Sequence, residues 1–374
     1  MAGSRAARAR RPSPQEARGS AGASSLHAWI ASRGWTVFPF QEETWAAYAE
    51  GKSGLVHAPT GAGKTLAVWG GPIIERLREG HSRGAEPIRV LWITPLRALA
   101  ADTTHALTEP ATALGLPWTI EQRTGDTSAS VRARQRERLP TALVTTPESA
   151  TVLLADPGAR ERLSTVRAVI VDEWHELLST KRGTQTELVL ARLRAWNPSL
   201  RVWGLSATLG NLPEAMATLL GPRGAQEGVL VHAALPKVTR IDSLIPPTME
   251  RFPWAGHLGT RLAEHVAGAI ESARTTLLFT NTRSQTELWF RALAAARPEW
   301  PGAHLALHHG SIDRAVRAAV EDRLRAGDLR CVVCTSSLDL GVDFSPVDQV
   351  IQVGSPKGVA RLLQRAGRSG HQPG

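Results

Sequence analysis

Ala58-Pro59-Thr60-Gly61-Ala62-Gly63-Lys64-Thr65 is the most informative stretch of the chain. The apolar run Gly54–His57 precedes it and the amphipathic stretch Thr65–Arg78 follows, so the glycines lie between a strand and a helix. That is the context a phosphate-binding loop requires. Glycines let backbone N–H groups close around phosphate oxygens, and the start of the helix adds favourable partial charge. Thr60, Gly61, Ala62 and Gly63 would form the cradle, Lys64 would reach the β- and γ-phosphates, and the Thr65 hydroxyl would help hold Mg²⁺. The common pattern G-x-x-x-x-G-K-[ST] opens on glycine, where this chain has Ala58. A strand-to-helix turn without a ligand is the plainer reading, and Gly-Lys-Thr in this setting argues against it.

Outward from the loop, compact apolar runs alternate with amphipathic segments from Leu26 to about Val231. The strand candidates are Gly54–His57, Val90–Thr94, Ala142–Thr145, Val166–Val171 and Val202–Leu205. Runs apolar throughout suit a parallel sheet covered on both faces. Helix-like segments at Thr65–Arg78, Pro95–Leu107 and Thr186–Ala195 lie between them, which argues for a doubly wound α/β domain. A second alternation begins near Leu258, with strands at Thr275–Phe279, His304–Leu307, Cys331–Cys334 and Gln349–Val353. Its helices are expected at about Arg261–Ser272, Gln285–Ala296 and Asp313–Ala326. The expected organisation is a disordered basic arm over residues 1–24, an α/β domain over 25–233, a proline-rich linker over 234–256 and a second α/β domain over 257–374. Two α/β units in series frame a cleft.

The chain has 374 residues, 42% hydrophobic and 21% charged, enough for a core in each domain and incompatible with a wholly disordered chain. No stretch approaches the ~18 uninterrupted apolar residues of a membrane helix. The basic first residues lack the apolar segment of a secretory signal. Cys331 and Cys334 are the only cysteines, which excludes a disulfide framework and points to the reducing cytoplasm. Their spacing is zinc-like, but no further cysteines complete a tetrahedral set, and strand positions three apart face opposite ways, so both belong to the core. Most of the 12 Trp residues sit in amphipathic or apolar stretches and read as core rather than base-stacking platforms. Of the formal net charge of +10, residues 1–20 carry +4 and the remainder +6. Basic residues attract polyanions, and a solvated arginine-rich tail gives the same arithmetic. Charge permits a nucleic-acid partner without establishing one.

A second chemical signal is Asp172-Glu173-Trp174-His175, directly after the apolar run Ala168–Val171. Carboxylates at the end of a buried strand point into the cleft where phosphates would lie. Asp172 suits the oxygen shell of Mg²⁺, and Glu173 could orient or deprotonate an attacking water. An acidic pair after a strand is commonly a solvated turn; its pairing with the glycine loop favours the chemical reading.

Together these stretches resemble motifs I and II of superfamily 2 helicases, and the remaining motifs follow in the family's order. Gln41, in Phe38-Pro39-Phe40-Gln41, resembles the adenine-reading glutamine. Thr94–Leu99 with Arg97 is similar to motif Ia, Thr145-Thr146-Pro147-Glu148 to motif Ib, and Thr124-Gly125-Asp126 to the strand-contacting turn between them. Ser206-Ala207-Thr208 resembles motif III, which couples the nucleotide site to strand binding through Ser206 and Thr208. Phe279–Arg283 resembles motif IV and His308–Ser311 its companion. Thr335 through Gly341-Val342-Asp343 resembles motif V, and Gln364–Gly370 motif VI. The resemblance covers about residues 35–371. Trp174-His175, Lys181-Arg182-Gly183 and His371 resemble the Lhr (large helicase-related) group, and more narrowly its bacterial ligase-associated branch.

The resemblance implies two tandem RecA-like domains with ATP and Mg²⁺ between them. Asp172, Glu173 and Lys64 would act with Arg365 and Arg368, the latter two supplied by the second domain, and Gly341, Asp343 and Arg368 would also touch the nucleotide. His371 stands where many relatives carry the last arginine of motif VI, so a second finger at that point is not implied. Arg97, Thr146, Thr280, Arg283, His309 and Thr335 would contact one strand's phosphodiester backbone, without reading sequence. By resemblance the chain is expected to be a repair-associated DNA helicase, moving 3′ to 5′ on single-stranded or tailed duplex DNA in the bacterial cytoplasm. Ligase or nuclease partners are implied in the same way. An RNA or RNA–DNA-hybrid remodeller and a non-hydrolysing nucleotide-gated clamp are the alternatives. Related chains continue past motif VI, so a truncated second domain is also expected.

Overall fold

Both faces of a central parallel sheet are buried in the first domain. The structure, a computed structural model, describes residues 14–80, 84, 86–233, 240–245, 260–339, 347–356 and 358–369. Seven strands make the first sheet: β1 (Gly54–His57), β2 (Val90–Ile93), β3 (Ile120–Arg123), β4 (Ala142–Thr145), β5 (Ala168–Val171), β6 (Arg201–Ser206) and β7 (Val229–His232). Their order is β3-β4-β2-β5-β6-β1-β7, with every neighbouring pair parallel. Successive side chains alternate between two cores. Val56, Trp92, Val144, Ile170 and Leu205 fill one, and Leu55, Leu91, Leu143, Val169 and Val202 the other. Helices on both faces explain why these strands are apolar throughout.

The second domain repeats the plan with β8 (Thr276–Phe279), β9 (Leu305–His308), β10 (Cys331–Cys334) and β11 (Gln349–Gln352), in the parallel order β11-β8-β10-β9. Cys334 packs with Phe279 and Val332 on one face, Cys331 with Leu278 and Val333 on the other. Both thiols are free, and burial pushes both upward from the ordinary thiol range. They are core residues, as their strand spacing requires.

The anticipated strands form within two residues of their expected bounds. Neither edge strand of the first sheet stands out in the sequence. β3 is Ile-Glu-Gln-Arg, whose outer flank is free of the apolar demand on central strands. β7 follows the helical segment Leu212–Glu227, kinked at Gly221, with Gly228 alone between them. The disordered arm expected over 1–24 is corrected from Pro14 onward, where a helix runs to Ser32. Its small residues serve close packing: a Cβ on Gly22 would lie 3.2 Å from the Ile74 carbonyl oxygen and from Leu77. Leu26 and Ile30 anchor the same helix in the core. Residues 1–13 lie outside the described residues, as does most of the expected linker. No described helix is long and apolar enough to cross a membrane.

One packing contact bears directly on the site. Helix Pro39–Ala49 lies against helix Lys64–Glu79, the helix that leaves the glycine loop. Gly70 and Gly71 permit this approach, since Cβ atoms there would come within 2.2 Å of Trp45 and 2.5 Å of Tyr48. The Trp45 indole N–H also donates to the Leu66 carbonyl at 3.2 Å. Gly70→Ala should therefore destabilise the domain despite alanine's better helix propensity. Overpacking costs about 1–3 kcal/mol, against the ~1 kcal/mol that propensity returns. A urea melt should show the lowered midpoint; a midpoint at or above wild type would contradict this packing.

Candidate nucleotide and nucleic-acid site

The parallel register brings the carboxyl ends of β1, β5 and β6 side by side. The Ala58 N–H extends the β1–β6 ladder by donating to the Ser206 carbonyl at 3.0 Å, and Ala58 is fully buried. Among the described residues, the non-glycine positions with positive φ are Glu173 and Ser179, so Ala58 sits where a Cβ is tolerated and the glycine of the common loop pattern is not needed. The turn itself falls on Gly61 and Gly63, with φ of 82° and 81°. These are left-handed conformations that favour glycine. Gly63 has a second reason: a Cβ there would lie 2.7 Å from the Gln41 amide nitrogen.

Gln41 is clamped to the loop. Its Nε2 donates to the Gly63 carbonyl at 3.1 Å, and its Oε1 accepts from the Phe38 N–H at 2.9 Å. Lys64 opens the following helix and is buried, with Nζ donating to the carbonyls of Ala58 and Pro59 at 3.0 and 3.1 Å. Burial pushes its pKa down, opposed by the fields of Glu173 and Asp172 and reinforced by Arg368. Neighbouring His57, at the end of β1, is likewise pushed down to about 4, by burial and then by His232 and Lys64.

Asp172 and Glu173 leave β5 on the same side. Asp172 accepts from the Glu173 N–H at 2.9 Å and from the Trp92 indole at 3.3 Å. Burial, and then the like charge of Glu173, push its pKa up to about 7. Glu173 has φ 44° and ψ 49°, a strained conformation for a non-glycine residue that turns its carboxylate inward. Its Oε2 is buried without a hydrogen bond among the described residues, 3.5 Å from His175 Nδ1. His175 Nδ1 also lies 3.2 Å from the Ser206 hydroxyl, which joins the acidic turn to Ser206-Ala207-Thr208. The Thr208 hydroxyl is buried and unpartnered among the same residues. Crowded carboxylates with an unsatisfied oxygen, beside the all-oxygen donors Asp172 and Thr65, fit a divalent cation of the Mg²⁺ type.

The second domain meets this site through its last helix, Val359–Ala366, and the residues after it. A Cβ on Gly367 would lie 3.5 Å from Thr60, and the Arg368 charge reaches Lys64. Arg368 donates from Nε and Nη2 to the Asp339 carbonyl at 3.3 and 2.9 Å. Arg365 is placed differently, which corrects the expectation that both arginines enter the cleft. It is buried inside the second domain, paired with both carboxylate oxygens of Asp339 at 2.7 and 3.1 Å, bonded to Gln352, and stacked 4.6 Å from the Phe279 ring centroid. Gly341, Asp343 and His371 lie outside the described residues.

The six expected strand contacts divide. Arg97 and Arg283 are exposed, Arg97 paired with Asp126 at 2.9 Å and Arg283 3.7 Å from a Cβ built on Gly310. His309 is buried, its Nδ1 accepting from the Ser311 N–H and its Nε2 3.6 Å from Glu287. Thr335 is half-buried, its hydroxyl donating to Ser337 at 3.4 Å. Thr146 and Thr280 do not present hydroxyls to solvent, contrary to expectation. Thr146 caps helix Pro147–Leu154 through the Ser149 N–H, and Thr280 Oγ1 lies 2.8 Å from Thr286 in the domain interior. Sequence reading gave no role to Asp339, which lies within the motif V stretch, or to Gln352 and Trp92, which lie outside the motifs; all three matter through what they hold.

Known proteins resemble the chain along most of its length. The DEAD/DEAH box helicase model matches residues 38–215, and the helicase conserved C-terminal domain model residues 260–372. The chain is 38% identical to the ATP-dependent helicase Lhr-Core of Methanothermobacter thermautotrophicus, over 93% of this chain and 42% of that protein. It is 37% identical to the Lhr helicase/probable uracil glycosylase of Mycolicibacterium smegmatis, over 90% of this chain and 25% of that one. The solved structure of Mycobacterium smegmatis helicase Lhr bound to ssDNA and AMP-PNP superposes with a TM-score of 0.74 at 34% identity, over 94% of this chain and 46% of that one. The chain thus spans less than half the length of these relatives.

Arg365 and Asp339 should behave as one structural unit. Removing either partner of a buried pair leaves an uncompensated charge and costs about 3–5 kcal/mol. Arg365→Met and Asp339→Leu should each destabilise to that extent, while the double variant costs far less than their sum. Denaturant unfolding of the four proteins measures the cycle; additive losses would dissolve the pair.

Proposed function

This chain belongs to the Lhr-type superfamily 2 helicases, and from that premise we propose that it couples ATP hydrolysis to 3′-to-5′ movement along single-stranded DNA in DNA repair. The observation that carries the catalytic reading is that buried Lys64, Asp172 and Glu173 lie within one another's fields, with the Arg368 charge acting on Lys64 and neighbouring Gly367 close to Thr60. The DNA and polarity elements rest on the family alone, and ligase or nuclease partners belong to the same reading.

The loop N–H groups and Lys64 hold the β- and γ-phosphates, which lifts the ammonium from the Ala58 and Pro59 carbonyls it now bonds. Thr65 and Asp172 would hold Mg²⁺, which supplies charge neutralisation to the phosphates. Glu173 orients the attacking water and accepts its proton as the water oxygen bonds to the γ-phosphorus. The bond from that phosphorus to the β–γ bridging oxygen breaks, leaving ADP and phosphate. Arg368 stabilises charge on the transferring group, so hydrolysis depends on the second domain being in place. His175 and Ser206 connect the acidic turn to β6, the route by which strand binding would be felt at the nucleotide. Arg365 acts from within the second domain as a positioning residue: it fixes Asp339, whose carbonyl holds Arg368.

ATP turnover measured with single-stranded DNA, with RNA and with neither tests this reading. Stimulation by DNA supports it, stimulation by RNA alone favours the remodeller, and stimulation by neither favours a clamp. Glu173→Gln should keep ATP binding and lose turnover by about 10²–10⁴-fold. Arg368→Ala should lose about 10³–10⁵-fold. Near-normal turnover in either variant removes that residue from its role. DNA affinity should also fall steeply as salt rises.

A further inference from the structure

A cluster of arginines beside the strand-contacting turn takes no part in the chemistry above. Arg123 ends β3 in register with Thr145 of β4, and its carbonyl accepts from the Thr145 hydroxyl at 2.7 Å. Its side chain is held almost wholly inside, at 6% exposure, and Nη1 is buried with no hydrogen-bond partner among the described residues. Burial, followed by the charges of Arg136, Arg132 and Arg162, pushes its pKa down. Asp156, the acidic group whose field supports it, is itself taken by Arg162 at 2.6 Å.

Arg132 stands over the same turn, its Nη2 donating to the Gly125 carbonyl at 2.7 Å, while Arg97 brackets the other side through Asp126. Arg136, one helical turn beyond Arg132, is exposed. A buried cation without a partner is costly, and a purely structural arginine would be expected to pair, as Arg365 does with Asp339. The flat guanidinium fork matches the oxygens of a phosphate.

We propose that Arg123, together with Arg132 and Arg136, forms an anion site that takes one backbone phosphate of the bound nucleic-acid strand. The assignment rests on the strand-binding reading above and extends it to residues no motif names. A strand phosphate is favoured over a free anion by position. The cluster abuts the Thr124-Gly125-Asp126 turn and the ends of β3 and β4, where Arg97 and Thr145-Thr146 also lie.

The test is the affinity of the full chain for a fluorescent single-stranded oligonucleotide across a salt series, for wild type, Arg123→Gln and Arg136→Gln. Thermal melts of the same proteins, with and without inorganic phosphate, accompany it. Removing one arginine from the phosphate should lower the slope of log affinity against log salt by about 0.7, with binding at low salt weakened several-fold. Arg123→Gln should melt at or above the wild-type temperature, because it removes an unpaired buried charge, whereas a structural arginine would lower it. Unchanged slopes in both variants overturn the proposal. So does phosphate protection of wild type but not Arg123→Gln when strand affinity is unchanged, which would make this a free-anion site. If wild type itself binds no strand, the strand-binding reading has failed, an outcome distinct from a wild type that binds with a salt slope the variants leave intact.

Discussion

A buried ammonium must be paired, and Lys64 is the charge around which the molecule is arranged. It sits at the start of a helix, beneath a loop that turns on two left-handed glycines, and donates to the Ala58 and Pro59 carbonyls at the loop's start. Burial pushes its pKa down; Glu173 and Asp172, which follow β5, oppose this. Burial, and then the like charge of Glu173, raise the pKa of Asp172. Each group is therefore in an unfavourable state that the proposed binding of a polyphosphate and a divalent cation would relieve. The parallel register that abuts β1, β6 and β5 creates this corner, since the carboxyl ends of parallel strands all open on one side.

The second domain supplies its charge through a different construction. Arg368 is anchored on a carbonyl, that of Asp339, and Asp339 is anchored by its carboxylate to Arg365. Arg365 in turn packs over Phe279 and bonds Gln352, at the ends of adjacent strands β8 and β11. Arg368, whose charge reaches Lys64, thus hangs from the sheet core through one buried ion pair. Two arginines three residues apart in one motif do unlike work, one spent inside the domain and the other directed at the cleft.

Much of this was legible from residues alone. The strand–loop–helix around Gly61 and Gly63 can be read because glycine at positive φ and a lysine at a helix start leave a local signature. Central strands can be read because burial on two faces demands unbroken apolar runs. The edge strand β3 could not be, since Glu121 and Gln122 face partial solvent on a free edge. The helix over Pro14–Ser32 was hidden because Ala, Gly and Ser look the same in a flexible tail as in a tightly packed helix. Only the approach of Gly22 to Ile74 and Leu77 separates the two. Thr146 and Thr280 show the converse, for a motif position locates a residue without saying which way its hydroxyl turns.

The two α/β units, the order of their motifs and the types of functional group at Lys64, Thr65, Asp172 and Glu173 can be read from the residues alone. These follow from local conformational preference and from periodicity, both of which act over a few residues. Tertiary structure decided which arginine faces the cleft, what holds Gln41 and Asp172 in place, and that Arg123 is buried with its Nη1 unpartnered among the described residues. Those outcomes depend on pairings between residues far apart in the chain, Trp92 with Asp172 and Asp339 with Arg365 among them. A buried charge or polar group is settled by whatever the fold brings next to it, and no local pattern contains that.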